Sequence, residues 1–261
     1  MMKKIKSFIK SKIKNVYETR IASFYFKQAG VCPCCDKNVV FVARNPWLRD
    51  HFKCTNCNCI PRERALMLTI KNEYPNWKTL KIHESSPGNR GHSVALRTHV
   101  KNYVETQFFV DTPLGDFVKG IRNEDLESQT FPDESFDLVI TSDVMEHIYN
   151  PEKAFKEIHR TLKPGGAHIF SVPIINKHKP TQRWANKGEN GEPEFLFEPE
   201  WHGNPVDSKG SPVTMHWGYD IVDFITKHTN AECEIVYIDD LNYGIRAEYI
   251  EVVVQKKKLV K

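Results

Sequence analysis

With 261 residues and 40% hydrophobic side chains, the chain can bury one full-sized core and a small appendage, but not two ordinary domains. Its 37 basic and 33 acidic side chains leave a formal net charge of +4, too small an excess to announce a nucleic-acid binder, so charge leaves the substrate class open. Six of the seven cysteines fall between Cys32 and Cys59, which argues against a chain-wide disulfide framework and for a reducing, cytoplasmic setting.

Residues 1–28 open the chain as a basic amphipathic helix: six lysines precede residue 15, and Ile5, Phe8, Ile9, Ile13 and Val16 recur at helical spacing. The stripe can dock on the chain's own domain, or residues 1–16 can make peripheral contact with an anionic inner membrane face. The start lacks a secretory h-region and cleavage site, and no apolar run reaches the roughly 18–20 residues that span a bilayer, so the expectation is a chain neither secreted nor membrane-spanning.

Residues 29–60 read as a zinc knuckle. Cys32 with Cys35 and Cys54 with Cys57 form two C-x-x-C pairs separated by 18 residues, a spacing that suits a closed four-cysteine structural zinc site. Cys34 and Cys59 are then spare thiols, either of which could replace a neighbour in the shell, and His51 is a weaker alternative ligand. Pro61 then opens a helix through Arg62, Arg64, Ala65, Leu66 and Met67, because a first-turn position needs no amide donor.

Residues 61–261 form the main domain. From Leu80, short apolar runs (LKIHE, NYVETQFF, FDLVI, AHIFSVP) alternate with helical patterns such as SVALRTHV and PEKAFKEIHRTL, which predicts an α/β fold with a largely parallel, helix-flanked sheet. A stretch at about 174–215, rich in Pro, Gly, Asn and Lys, is too long for a simple connector and reads as a functional insertion. Helical pattern resumes at Trp217–Lys227, and Glu234–Ile238 and Glu248–Val254 have the β-branched character of strands.

Strand LKIHE runs into the small-residue turn SSPGNRG, which opens a helix near Ser93, and glycines at a strand's carboxyl end let a ligand approach the backbone. The phrases TFPDESFDLVITSDVMEHIYNPEKAFKEIHRTLKPGGAHIFSVP and ESSPGNRG together resemble the class I S-adenosylmethionine-dependent methyltransferases of the type 11 family over roughly residues 79–173. The cysteine-rich front end, WLRD, PRERAL, HESSPG, HGNP and HWGYD extend the likeness to a bacterial subgroup with an N-terminal zinc knuckle. The resemblance implies a Rossmann-like sheet of seven mostly parallel strands with helices on both faces, and S-adenosylmethionine as cofactor.

Carried over by position, the resemblance sets Glu84, Ser86, Gly88, Arg90 and Gly91 around the amino-acid end of the cofactor, with a helix start meeting its carboxylate. Either Glu105 or Gln107 holds the ribose, Asp125 and Leu126 border the adenine, and Ser142 lies beside the reactive methyl. Methyl transfer from a sulfonium is an in-line displacement, so aligning the acceptor and excluding water are the main tasks. For a hydroxyl acceptor a base must take the proton, and His147 with Asp143 is the expected pair, Glu146 joining them on one helical turn. A divalent ion held by Glu146 and His147 is a further option. Trp201, His202, His216 and Trp217 in and beside the insertion are expected to line the acceptor, with Arg183, Trp184 and Asn204 nearby.

The acceptor expected is a small polar molecule, such as a surface-glycan or lipid-linked sugar precursor, methylated on oxygen. An RNA methyltransferase is the first alternative, its RNA held by a basic stripe of Lys37, Arg44, Arg49, Lys53, Arg62 and Arg64. A methyltransferase-like binding protein without catalysis is the second.

Overall fold

The computed structural model describes residues 24–259 other than 205 and 207, so the basic segment expected over residues 1–16 lies outside the described residues. Phe26–Cys32 is strand, so residues 26–28, expected at the end of the N-terminal helix, are not helical.

Three antiparallel strands carry the cysteines: β1 (Phe26–Cys32), β2 (Lys37–Ala43) and β3 (Lys53–Cys54), with the short helix α1 (Leu48–His51) between the last two. Helix α2 (Pro61–Glu73) follows, with proline in its first turn. The main sheet then begins with β4 (Lys81–Ser85), helix α3 (Gly91–His99) and β5 (Asn102–Gln107). Two short strands, β6 (Phe117–Val118) and β7 (Ile121–Asn123), precede β8 (Phe136–Ser142). Helix α4 (Pro151–Thr161) starts where the Asn150 side chain accepts from the Lys153 backbone N–H, and leads to β9 (Leu162–Ser171). After the insertion come α5 (Ile221–Thr229), β16 (Glu232–Asp240) and β17 (Ile245–Lys256).

The large sheet has eight strands, in the order β16-β17-β9-β8-β4-β5-β7-β6. Its centre, from β9 to β7, is parallel, while β17 and β16 run antiparallel at one edge. Seven strands were expected; the eighth is the two-residue β6, which turns back on β7 through Lys119 and Gly120, both at positive φ. That pair of left-handed residues matches the twist of a tight hairpin, and Lys-Gly is a weaker sequence signal for it than Asn-Gly.

Near-continuous apolar runs in β8 and β17 follow from burial on both faces. One face packs Leu138, Ile140, Ile169, Val252 and Val254 against α2 and α3; the other packs Val139, Phe170 and Val253 against α4 and α5. Helices therefore cover both faces, as the resemblance implies.

The cysteine segment belongs to the first of these cores. Phe41, Phe52, Cys32 and Cys59 pack with Leu66, Met67 and Ile70 of α2 and with the sheet residues named above. Arg64 is fully buried there and donates to the carbonyls of Cys59, Phe52 and Gly244, so one guanidinium ties the cysteine strands, α2 and the turn before β17 together. A buried cation this well supplied with acceptors resists removal, since any truncation strands carbonyls in a dry core.

The 174–215 region is built of three two-stranded ribbons. β10 (Gln182–Arg183) pairs with β15 (Met215–His216), β11 (Ala185–Lys187) with β12 (Pro193–Phe195), and β13 (Trp201–His202) with β14 (Ser211–Pro212).

Candidate functional site

The carboxyl ends of β4 and β8 are neighbours, and each strand is broken by a non-glycine residue in the left-handed region: Ser86 (φ 56°) and Asp143 (φ 52°). Such conformations persist only where surrounding contacts impose them, and they gather at ligand-binding edges. Open α/β sheets bind ligands at this edge.

At the β4 end, Glu84 is buried and accepts from the hydroxyls of Ser93 (2.5 Å) and Tyr103 (2.7 Å), with His92 Nε2 3.2 Å away. Burial alone raises its carboxyl; the His92 charge and the bonds from His92, Ser93 and Tyr103 outweigh that and hold it below the ordinary range. Ser93 Oγ also accepts from the Gly88 amide at 2.9 Å, so the turn is strung on one hydroxyl that leads back to Glu84.

Gly88 and Gly91 are unlike each other. A Cβ on Gly88 would make only ordinary contacts, the nearest with Ser93 Oγ at 3.6 Å, so the turn there is not sterically closed to a side chain. Gly91 has φ +62°, and a Cβ there would lie 2.5 Å from Glu63 Oε2. Glu63, near the start of α2, also accepts from Arg90 Nε (2.7 Å) and the Ile60 amide (3.1 Å), so α2 latches the turn directly.

Glu105 and Gln107 separate too. Arg97 grips the Glu105 carboxylate at 2.5 Å, while Gln107 is the last residue of β5 and reaches the carboxyl edge. Past β7, the Asp125 carboxylate accepts from the Glu127 amide (2.8 Å) and Leu126 is buried in the core under α4. Ser142 Oγ lies 3.0 Å from Ser171 Oγ, joining the ends of β8 and β9.

Residues 143–150 form turns rather than the helical turn expected for Asp143, Glu146 and His147. Asp143 faces away from the other two: Arg62 Nε is 2.8 Å and Arg49 Nη2 3.3 Å from its carboxylate, so it clamps the cysteine segment and α2 to the end of β8. Both guanidiniums reach Asp143 from the cysteine segment and α2, so the structure does not bring it together with His147 as the sequence leads one to expect.

Glu146 and His147 do converge, with His202 supplied by β13 as the third member. Their donor atoms all lie within 4.8 Å of one another. His147 Nδ1 donates to the Pro212 carbonyl (2.8 Å), which leaves Nε2 as the lone-pair nitrogen, 3.7 Å from Glu146 Oε1. His202 Nδ1 is also 3.7 Å from that oxygen, and its Nε2 is 3.2 Å from Glu200 Oε1. The Glu146 carboxylate beside it raises the His202 imidazole against the opposing effect of burial, and Glu200 adds to the rise. Glu146 is 1% exposed, and neither of its oxygens has a hydrogen-bond partner.

The insertion is stitched to this segment. Thr214 donates from its amide to Glu146 O (2.7 Å) and from its hydroxyl to Ile148 O (2.6 Å), and Arg183 reaches Tyr149 O. Two expected acceptor residues are engaged in packing. Trp217 is fully buried between Phe155 and Phe224 and donates to Met145 O, while His216 stacks on Trp184 at 3.8 Å and sits 2.8 Å from Glu200. Trp201 is 41% exposed and, with His202, remains available at the surface.

The four cysteines expected to bind zinc come together. Cys32 and Cys57 sulfurs are 3.7 Å apart and Cys35 and Cys54 sulfurs 4.0 Å apart, close to the edge of about 3.8 Å that a Zn–S bond of about 2.3 Å gives a tetrahedron. Both pairs use the same turn: the Asp36 amide donates to Cys32 O and the Asn58 amide to Cys54 O, with Asp36 and Asn58 left-handed. Cys34 and Cys59 are buried, and Cys59 Sγ lies 3.4 Å from Cys32 and from Arg64 Nη1. The expected basic stripe is broken, because Arg64 is buried and Arg49 and Arg62 are spent on Asp143 and Asp50.

Sequence reasoning missed Glu63, Tyr103, His92 and Glu200. Glu63 carried one signal, a carboxylate three residues into a helix start; Glu200 carried none, since its role depends on the ribbons of the insertion.

Residues 98–170, from the end of α3 through β9, match the family model described as Methyltransferase domain. The glycine turn at 84–91 precedes that stretch. The ubiquinone biosynthesis O-methyltransferase of Cereibacter sphaeroides is 27% identical over 130 residues, 42% of this chain and 52% of that protein. The ubiquinone/menaquinone biosynthesis C-methyltransferase of Hydrogenovibrio crunogenus is 50% identical over 40 residues, covering 15% of this chain and 16% of its own. The chain therefore spans about half the length of the first of these relatives and less of the second. Among solved structures, the S-adenosylmethionine dependent methyltransferase from Mesorhizobium loti superposes with TM-score 0.47 at 17% identity, over 74% of this chain and 98% of that one.

Proposed function

We propose that the chain is an S-adenosylmethionine-dependent methyltransferase acting on a hydroxyl of a small molecule. The cofactor would lie across the carboxyl ends of β4, β5 and β8, and the acceptor beneath the ribbons of the insertion. One observation carries the reading: past the end of β8, Glu146 and His147, inside the stretch that matches the methyltransferase domain, are met by His202 from the insertion, with His147 Nε2 left as a lone pair.

In that arrangement the acceptor oxygen attacks the methyl carbon in line. Bound S-adenosylmethionine would supply the methyl group, with the carbon–sulfur electron pair going to sulfur and S-adenosylhomocysteine as the product, and the Glu146–His147–His202 group would promote loss of the acceptor's proton. Gly88, which presents bare backbone without a clash at the end of β4, suits close approach of the cofactor, and Gln107 rather than Glu105 suits the ribose. The expected sugar-like acceptor is weakened by the structural roles of His216 and Trp217, so the class stands as a hydroxyl-bearing small molecule. Cys32, Cys35, Cys54 and Cys57 would hold a structural zinc, a role supported by their sulfur spacing and paired turns.

Calorimetry with S-adenosylmethionine and S-adenosylhomocysteine tests the reading. Wild-type chain is expected to bind both, and Gly88→Trp, which places an indole at the turn, to lose both while still unfolding cooperatively. Absence of binding by the wild type at millimolar ligand would overturn it.

A further inference from the structure

Glu146 is a buried carboxylate with no hydrogen-bond partner on either oxygen, facing two imidazoles whose near nitrogens stop at 3.7 Å. Leaving an ionised carboxylate dry and unbonded is among the costliest arrangements in a protein core, and proteins relieve it by pairing or by metal coordination. The separations are too long for hydrogen bonds and wide enough for an ion between the groups.

The outer nitrogens of both rings are already taken. Nδ1 of His147 donates to the Pro212 carbonyl, and Nε2 of His202 lies against the Glu200 carboxylate, which His216 holds in turn. Fixing the far nitrogen of an imidazole in this way sets its tautomer and aims the near nitrogen's lone pair, the usual support behind a metal-bound histidine. The rings stand nearly perpendicular, 89° apart with centroids 5.0 Å apart, so they approach the carboxylate from two directions.

We infer that Glu146, His147 and His202 form a site for a divalent first-row transition cation, separate from the cysteine cluster. Two imidazoles and one carboxylate suit zinc, iron(II) or manganese(II) rather than calcium or magnesium, which take oxygen ligands. Three protein donors leave coordination positions open to an oxygen of a bound molecule. The role of the ion rests on the methyl-transfer reading: a hydroxyl bound to it gives up its proton to water more readily, and the oxygen then bonds to the methyl carbon as the carbon–sulfur bond breaks onto sulfur. The existence of the site does not depend on that reading.

The full chain, dialysed against a chelator too weak to strip thiolates, would be titrated with Mn2+ and Zn2+ by calorimetry, with bound metal quantified per chain. Wild type is expected to take up one ion beyond the thiolate-held one, and Glu146→Gln and His202→Ala to lose it while keeping the thiolate-held ion. Glu200→Gln, which removes the charge shared by His202 and His216 but none of the three proposed ligands, is expected to weaken binding about tenfold. His202 lies in a partly exposed ribbon, so its variant keeps the test decisive where Glu146→Gln fails to fold. Wild type without the extra ion, or all three variants binding like wild type, overturns the inference. S-adenosylmethionine titrations on the same samples keep the two claims apart: cofactor binding without the extra ion sinks this site alone, and the extra ion without cofactor binding sinks the methyltransferase reading alone.

Discussion

Gly91 and Gly88 stand three residues apart in one turn, yet substitution should act on them through different physics. At Gly91 any side chain must hold φ +62° and push into the Glu63 carboxylate. Left-handed backbone costs about 1–2 kcal/mol and overpacking about 1–3, so Gly91→Ala is expected to destabilise the chain by roughly 2–5 kcal/mol in denaturant unfolding and to weaken cofactor binding with it. A variant as stable as wild type would show that Glu63 yields without loss. The sequence marks both glycines as turn residues, but only the fold reveals which is sterically required, because Glu63 arrives from a helix 28 residues earlier. The same limit explains Trp217 and His216. Aromatic and imidazole side chains in a long loop read alike whether they face a ligand or fill a core, and the deciding contacts, Phe155 and Phe224 for one and Trp184 and Glu200 for the other, are distant in sequence.

Elements were legible where one period or one spacing decided them. Strands β4, β8 and β9 follow from short apolar runs between helical patterns, and the paired C-x-x-C turns follow from cysteine spacing. What joins elements was not legible. Asp143 reads as part of a reactive motif, but its partners Arg49 and Arg62 come from α1 and α2, which makes it a clamp between the cysteine segment and β8. The three side chains are at most 26% exposed, so the cluster is partly shielded from solvent and salt. Asp143→Ala leaves both guanidiniums with Asp50 alone and is expected to cost about 1–3 kcal/mol. In a double-mutant cycle with Arg62→Ala, a coupling energy near zero would remove the clamp from the account. The ribbons of the insertion escaped the sequence for a related reason: two- and three-residue strands have no measurable period, and their pairing is fixed by Thr214 and Arg183 bonding to the 146–149 backbone.

For the whole molecule, the shared core around Arg64 means that the cysteine strands should not melt separately. Stripping a structural zinc from a small independent knuckle unfolds the knuckle alone. Here Phe41, Phe52 and Cys59 belong to the same packed cluster as Ile140 and Val252, so a strong chelator is expected to lower the midpoint of a single transition rather than produce two. A second internal feature sets the pH response. His83 on β4 and His168 on β9 are fully buried and bonded to Thr106 and Thr141, and burial drives each imidazole down to about 3. In the unfolded chain each titrates near the ordinary value of about 6.5. The folded pKa values are depressed, so their stabilising effect is complete above about pH 6.5 and is lost as pH falls from there toward 3, where the unfolded chain binds two protons that the native chain refuses. Across the middle of that window the two groups together should contribute a slope of up to about 2.7 kcal/mol per pH unit. Denaturant unfolding at pH 7, 6 and 5 measures it directly. His83→Phe is expected to be less stable than wild type at pH 7, since Thr106 loses its partner, yet to lose stability on acidification with one proton fewer. A slope unchanged in that variant would mean that the acid sensitivity arises elsewhere than in the buried imidazoles of the sheet.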